Sequence, residues 1–343
     1  MNKKNRIFFS AIILTGVIVI ILLTFIKKTA SLYCDISDID IEVELERFDK
    51  DFFDISKENP MKKIVEIQNK YDIFFDVYNH KIISIGGVES QSYLTYVRTF
   101  LTDYAVTEAY KSINEVFADY LDINQELSLA FRYFNCYFPD KKIPRVIAFN
   151  GGFNQSIVTT EDFIGVGLDK YLGKDNELYD MLSIPYFARV EMTPERIPLD
   201  VLKAYALMEF PYNDSVDNLI NKMIYNGMIL YFLDVCFPNY KDRYKIAYNE
   251  MQQAYCETYE KDMWTYLVSK QLLFSSDHLV IRKFTKNAPF TSDFGNDSPP
   301  RTGNWLGWQI VRAFMETNKE VSVSDLMNMT DYQKILNKSQ YNP

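Results

Sequence analysis

The sequence predicts an α+β fold, mainly helical, with a small β-sheet packed by helices and an amino-terminal transmembrane helix ahead of it. Three observations predict this. Residues 38–46 alternate acidic and aliphatic side chains with a period of two, the mark of a half-buried strand. From residue 60 onward, apolar residues recur three and four apart, as on one face of a helix. Residues 7–26 form an uncharged apolar run long enough to cross a bilayer.

Composition narrows the function before any motif is read. Apolar residues make up 48% of the 343, enough to offset the chain entropy of folding and to exclude a disordered protein. The 37 basic residues against 46 acidic ones argue against a nucleic-acid partner, which would call for a basic stripe. Residues 1–28 hold five of the basic groups and no acid, so the remainder has 32 against 46, a net charge of −14. Such a body is repelled by anionic lipid, and a tether would have to supply its membrane attachment. Two histidines in the whole chain exclude most histidine-rich metal sites, and no cofactor is predicted.

Taken in order, the first element is residues 1–28, read as a signal-anchor. Lys3, Lys4 and Arg6 precede the Ile7–Ile26 run, and Lys27 and Lys28 follow it. The heavier basic flank keeps the amino terminus in the cytoplasm and exports the body to the periplasmic side of the cell envelope. Residues 29–37 are a juxtamembrane linker, and 38–343 a single extracytoplasmic domain. Cys34 lies just outside the run, where a lipidated cysteine would stand, although Tyr33 is bulkier than a lipidation signal favours.

The body opens with Ile39, Ile41, Val43 and Leu45 facing a core and five acids facing out, a charged edge strand. Helical spacing follows at 60–78, 90–120 and 124–138, the last closed by Pro139. A strand cluster covers 144–172: Val146–Phe149, a turn at Asn150-Gly151-Gly152, Ser156–Thr160 and Ile164–Leu168. In the last of these, Gly165 and Gly167 clear one face for another backbone or a ligand. Helices return at 199–209, 216–236, 248–275, 305–317 and from Ser324, with Pro211, Pro238 and Pro289 in the gaps. The four cysteines allow three complete pairings. Cys236 and Cys256, near the ends of consecutive helices, are the pair that spacing favours, but buried free thiols, as in the aromatic surroundings Phe134-Asn135-Cys136-Tyr137, are the reading preferred over any pairing.

Several motifs carry a family resemblance: Val43-Glu-Leu-Glu-Arg-Phe-Asp-Lys-Asp-Phe-Phe53, Tyr137-Phe-Pro139, Gly152-Phe-Asn154, Pro289-Phe-Thr291, Ser298-Pro299 and Trp305-Leu-Gly-Trp-Gln-Ile-Val-Arg312. Through them the chain resembles the gliding-motility lipoprotein B (GldB) family of Bacteroidota, from about residue 38 to the end. The resemblance implies an envelope lipoprotein, with partners among motility and secretion-system proteins. It departs at the amino terminus, where family members usually have a short lipoprotein signal. More distantly the family is similar to predicted zinc proteases of the zincin layout, which implies a degenerate zincin-like architecture here. In zincins, two histidines four apart on one helix hold zinc, and a later glutamate completes the set. The matching helix here, Leu199–Glu209, has no histidine, and the glutamate-before-glycine position matches Asn226-Gly227. His80 and His278 read as surface or capping residues, His278 opening a helix with Asp277 or Ser276 as its cap.

Two expectations follow for a site. On a degenerate zincin scaffold, Tyr205, Glu209 and Asn226 would line a remaining groove between facing helices. In the irregular stretch 288–303 and the helix after it, Asp297, Arg301, Asn304 and Arg312 would form the polar rim of a partner site over Trp305 and Trp308, with alanine at Arg301 and Asn304 leaving the melting temperature nearly unchanged. The plainer expectation is that both tryptophans pack the core. The function these favour is a non-catalytic envelope component that binds a protein or peptide. The alternative is an envelope hydrolase with a site of unrecognised type.

Overall fold

The computed structural model describes residues 34–56 and 59–343. The chain divides into two compact units, residues 1–39 and 40–343. In the first, the described residues form a short turn in which the Ile39 amide donates to the Ile36 carbonyl at 3.1 Å. The expected signal-anchor, residues 1–28, lies outside the described residues, as does most of the 29–37 linker. Among the described residues, no helix is long and apolar enough to cross a membrane.

The second unit is built on a four-stranded sheet in the order β1-β2-β4-β3. Strands β1 (Leu45–Arg47), β2 (Arg145–Phe149) and β4 (Phe163–Gly167) run parallel, and β3 (Ile157–Thr159) is antiparallel at the far edge. The acidic-aliphatic alternation holds where expected, with Val43 and Leu45 buried and Glu42 and Glu44 exposed. The edge strand is nevertheless only three residues long. Its amino-terminal extension lies along a helix instead: the Val43 amide donates to Ser128 Oγ at 2.9 Å, the Leu45 amide to Asn124 Oδ1 at 3.0 Å, and Arg132 Nε to the Ile41 carbonyl at 3.0 Å. Side chains thus satisfy backbone groups that a strand ladder would otherwise claim.

Helices cover both faces of the sheet. Helix α1 (Phe48–Phe53), α2 (Pro60–Tyr71), α3 (Ile73–Val77, continued by a π turn at Tyr78–Ile82) and α4 (Tyr93–Thr102) enclose an aromatic core that takes Ile147 and Phe149 from β2. Here Phe48 packs edge-on against Tyr71, Phe74 and Tyr78, with centroids 4.6–4.9 Å apart. The glycines of β4 make this possible. A Cβ on Gly165 would stand 3.0 Å from the Phe74 ring, and one on Gly167 would meet the Gln155 carbonyl at 2.2 Å. The expected close approach is therefore made by an aromatic ring and by backbone.

On the opposite face, Val146, Ala148, Ile164 and Val166 join the larger core. It is enclosed by α5 (Tyr104–Val116), α6 (Leu121–Tyr137), α9 (Ile197–Glu209), α10 (Leu219–Cys236) and α14 (Thr302–Thr317). The short helices α7 (Glu177–Met181), α8 (Tyr186–Arg189) and α11 (Asp242–Ile246) connect these, and α12 (Glu250–Ser269), α13 (His278–Thr285), α15 (Val323–Met327) and α16 (Tyr332–Ser339) complete the unit. The single helix expected over 90–120 is two, because Asp103 takes an extended backbone and caps α5 by accepting from the Val106 amide at 3.1 Å. Asp277 caps α13 in the same way, accepting from Leu279.

The preferred reading of buried free thiols holds at Cys236 and Cys256 and fails at Cys136, which is disulfide-bonded. Cys236 and Cys256 are free and buried, and burial pushes the Cys236 thiol well above its ordinary range. Cys34 and Cys136 are each disulfide-bonded. A sulfur in a disulfide is not available for a thioether, so lipidation of Cys34 would require its reduced form.

Candidate functional site

The site begins at the crossing of α10 and α14. Gly227 and Gly307 bring the two helix backbones into contact, since a Cβ on Gly307 would fall 1.8 Å from the Met223 carbonyl oxygen and one on Gly227 would fall 2.3 Å from the Gly307 oxygen. The polar members of the Trp305–Arg312 motif fasten the same crossing. Trp308 Nε1 donates to Asp234 Oδ2 at 2.9 Å. Arg312 grips Asp234 with Nε and Nη2 (2.8 and 2.9 Å) and Asp242 with Nη1 and Nη2 (2.6 and 2.9 Å), while its guanidinium lies 3.9 Å from the Trp308 ring centroid. Lys245 completes the cluster with Asp234 at 2.7 Å. The guanidinium and ammonium hold the Asp242 carboxyl below the usual range against the opposing effect of burial.

These contacts redraw the expected partner rim. Trp305 and Trp308 are buried, the first donating to Glu260 Oε2 at 3.0 Å, so they form core and not the floor of an open site. Arg312 is spent on the clamp. Asp297 is exposed at the tip of a loop fixed from within, where Thr291 Oγ1 donates to the Pro299 carbonyl at 2.8 Å and Ser298 Oγ to the Gly295 carbonyl at 2.7 Å. Arg301 is also interior. Its backbone is left-handed (φ 58°), its side chain pairs with Glu191 at 2.9 Å, and its Nη2 donates to the Ile246 carbonyl at 3.0 Å. Its alanine variant is accordingly expected to destabilise the fold, reversing the expectation from sequence.

Beside this crossing α9, α10, α11 and the start of α14 surround a cavity of about 430 Å³. Helices α9 and α10 pack on one another next to the sheet, the placement expected for the groove. Only part of the expected lining is there. Tyr205 is buried in the core, donating to the Lys142 carbonyl at 2.9 Å, and Glu209 pairs with Lys141. Helix α9 turns Lys203 and Leu207 toward the cavity instead. Asn226 and Asn304 do line it, joined by a 2.8 Å bond from Asn226 Nδ2 to Asn304 Oδ1, and Asn304 Nδ2 donates to the Thr285 carbonyl at 3.2 Å. Arg301 lines it as well.

The rest of the lining was not anticipated: Glu191, Lys222, Lys245, Lys286 and Asn287, over apolar Tyr225, Ile229, Leu230 and Ile246. A signal for Lys203 was present in the sequence, as the one basic residue in the apolar helix Ile197–Glu209. Burial lowers the Lys203 ammonium's pKa, with Arg301 and Arg196 adding to the effect and Glu191 and Asp200 opposing it. Burial and Lys286 likewise lower that of Lys222. Burial raises the Glu191 carboxyl, but Arg301, Lys203 and Arg196 outweigh it and hold the group below its ordinary value. Among the described residues no group of three or more His, Cys, Asp and Glu is placed to hold a metal ion, and both histidines are exposed. Chemically, the cavity offers ammonium and amide donors above an apolar floor.

No curated protein and no solved structure matches the chain. A family model described as gliding motility protein GldB matches residues 29–343, which takes in the sheet, the α10–α14 crossing and the cavity. The chain belongs to the GldB family of gliding-motility proteins.

Proposed function

We propose that this chain is a non-catalytic component of the cell envelope, tethered with its body on the periplasmic side, that serves gliding and secretion machinery by holding a protein or peptide partner at the cavity between α9, α10 and α14. Family membership supports the envelope and motility assignment. The observation that carries the recognition role is the cavity lining. Zinc takes thiolate, imidazole or carboxylate ligands, whereas this cavity presents five cationic side chains and one carboxylate. On this reading, the scaffold keeps the cleft between two helices of a zincin and fills the ligand positions with groups that bind by charge and hydrogen bonding. For the alternative, an envelope hydrolase, the described carboxyl raised furthest toward neutral pH is Asp169, and it is wholly buried beneath the Gly151–Phe153 turn.

The test is affinity isolation of the tethered protein from envelope, comparing wild type with the Asn226→Ala, Asn304→Ala double variant. Each lost amide bond costs about 1 kcal/mol, so the variant should remain folded. Loss of the wild-type partners from the variant is the expected result. Recovery of the same partners in equal amount would refute the assignment of the site.

A further inference from the structure

The body has a net charge of −14 once residues 1–28 are set aside, yet the cavity of about 430 Å³ beside the α10–α14 crossing is cationic. Of the five basic side chains in the lining, two are matched: Lys245 by Asp234 at 2.7 Å and Arg301 by Glu191 at 2.9 Å. Lys203, Lys222 and Lys286 are not. Among the described residues no carboxylate lies within 4.0 Å of their Nζ atoms. Lys222 instead sits 3.6 Å from the centroid of the Tyr212 ring. Converging ammonium groups in a partly enclosed space repel one another, and low dielectric strengthens the repulsion. Burial is the main cause of the lowered Lys203 and Lys222 pKa values, with Arg301 and Arg196 adding to it at Lys203 and Lys286 at Lys222. Arg301, 92% buried and paired with Glu191, adds a fixed positive charge to the same lining.

We propose that this cavity binds a small organic molecule bearing a multiply charged oxyanion, a phosphate ester or a polycarboxylate, with the charged group held between Lys203, Lys222 and Lys286 and oriented by the Asn226 and Asn304 amides. Three unmatched point charges fit an anion of charge two or more better than a single carboxylate, which the planar fork of arginine would serve. The volume of about 430 Å³ suits a small ligand, and the apolar floor suits its carbon skeleton. The proposal deepens the recognition role of the same cavity and rests on it.

Isothermal titration of the full-length chain in detergent micelles tests it, with glycerol 3-phosphate, citrate and inorganic phosphate as probes and acetate at matched ionic strength as the monovalent reference. Saturable one-to-one binding of glycerol 3-phosphate or citrate is expected, and the tighter of the two identifies the phosphate or carboxylate source. Lys203→Gln and Lys286→Gln should each weaken that binding by about tenfold or more, while Lys62→Gln, the same charge change on exposed α2, should not. Absence of saturable binding by every probe overturns the proposal. So does equal binding by a Lys203→Gln, Lys286→Gln variant with a wild-type circular dichroism spectrum. Partner recovery by the asparagine variants is a separate readout, so failure of the oxyanion and failure of the partner site are distinguishable.

Discussion

Replacing Gly307 by alanine separates two opposed expectations for the α10–α14 crossing. Helix propensity alone favours alanine by about 1 kcal/mol. The structure predicts the reverse. The new Cβ would stand 1.8 Å from the Met223 oxygen and 2.3 Å from the Met223 carbonyl carbon, both backbone atoms that no rotamer change can move. Restoring a contact of roughly 3.4 Å requires the helices to part locally by about 1.5 Å, which loosens the packing around Trp308 and strains the Arg312–Asp234 clasp. Overpacking of a core costs about 1–3 kcal/mol, and a backbone clash belongs at or above the top of that range. After the propensity gain, a net loss of about 2 kcal/mol or more remains. With an unfolding entropy of about 2.1 cal/mol/K per residue, a unit of this size should melt about 3 °C lower or more. Thermal denaturation followed by tryptophan fluorescence reads this directly, because Trp305 and Trp308 lie at the crossing. An unchanged or raised melting temperature would refute the close-approach account.

Arg301→Ala should destabilise by about 3 kcal/mol, because it leaves Glu191 without its partner in a poorly solvated site, and a urea melt should show it as a lowered midpoint at unchanged slope. Asp169 is wholly buried, and burial raises its pKa from 3.8 to about 6. Between those values the folded protein keeps a proton that the unfolded chain has released, so this site lowers stability as pH rises from about 4 to 6, by about 3 kcal/mol in all. Asp169→Asn should remove that contribution, and melting curves from pH 4 to 7 in which the variant parallels wild type would contradict it. Thiol labelling should find two reactive cysteines in the denatured, unreduced chain and four after reduction; under native conditions Cys236 and Cys256, at most 1% exposed, should not react.

What the sequence disclosed follows the range of the interactions involved. Local patterns were legible: the alternation that buries Val43 and Leu45, the Asp277 cap, the glycines of β4 and the three later strands all depend on neighbours within a few residues. The length of β1 was not, because Ser128 and Asn124, which take over the backbone bonds of its extension, lie about eighty residues away. The Trp305–Arg312 motif was recognisable while its role was not. Tryptophan and arginine together read as an interface, yet their acceptors Asp234 and Asp242 lie 70 and more residues upstream, and only the fold joins them into a clamp. The same distance hid the cavity, since its basic side chains come from five separate segments. Lys203, alone in an apolar helix, was the local clue.

The central claim, that the cavity between α9, α10 and α14 is where this envelope protein meets its partner, is tested most directly by photo-crosslinking in living cells. A photoreactive residue at position 287, exposed at the cavity rim, is compared with one at position 62 on the exposed face of α2. The account predicts covalent adducts from position 287 to the proteins recovered by affinity isolation, and none of them from position 62. Adducts to those proteins from position 62 but not from 287 would contradict it.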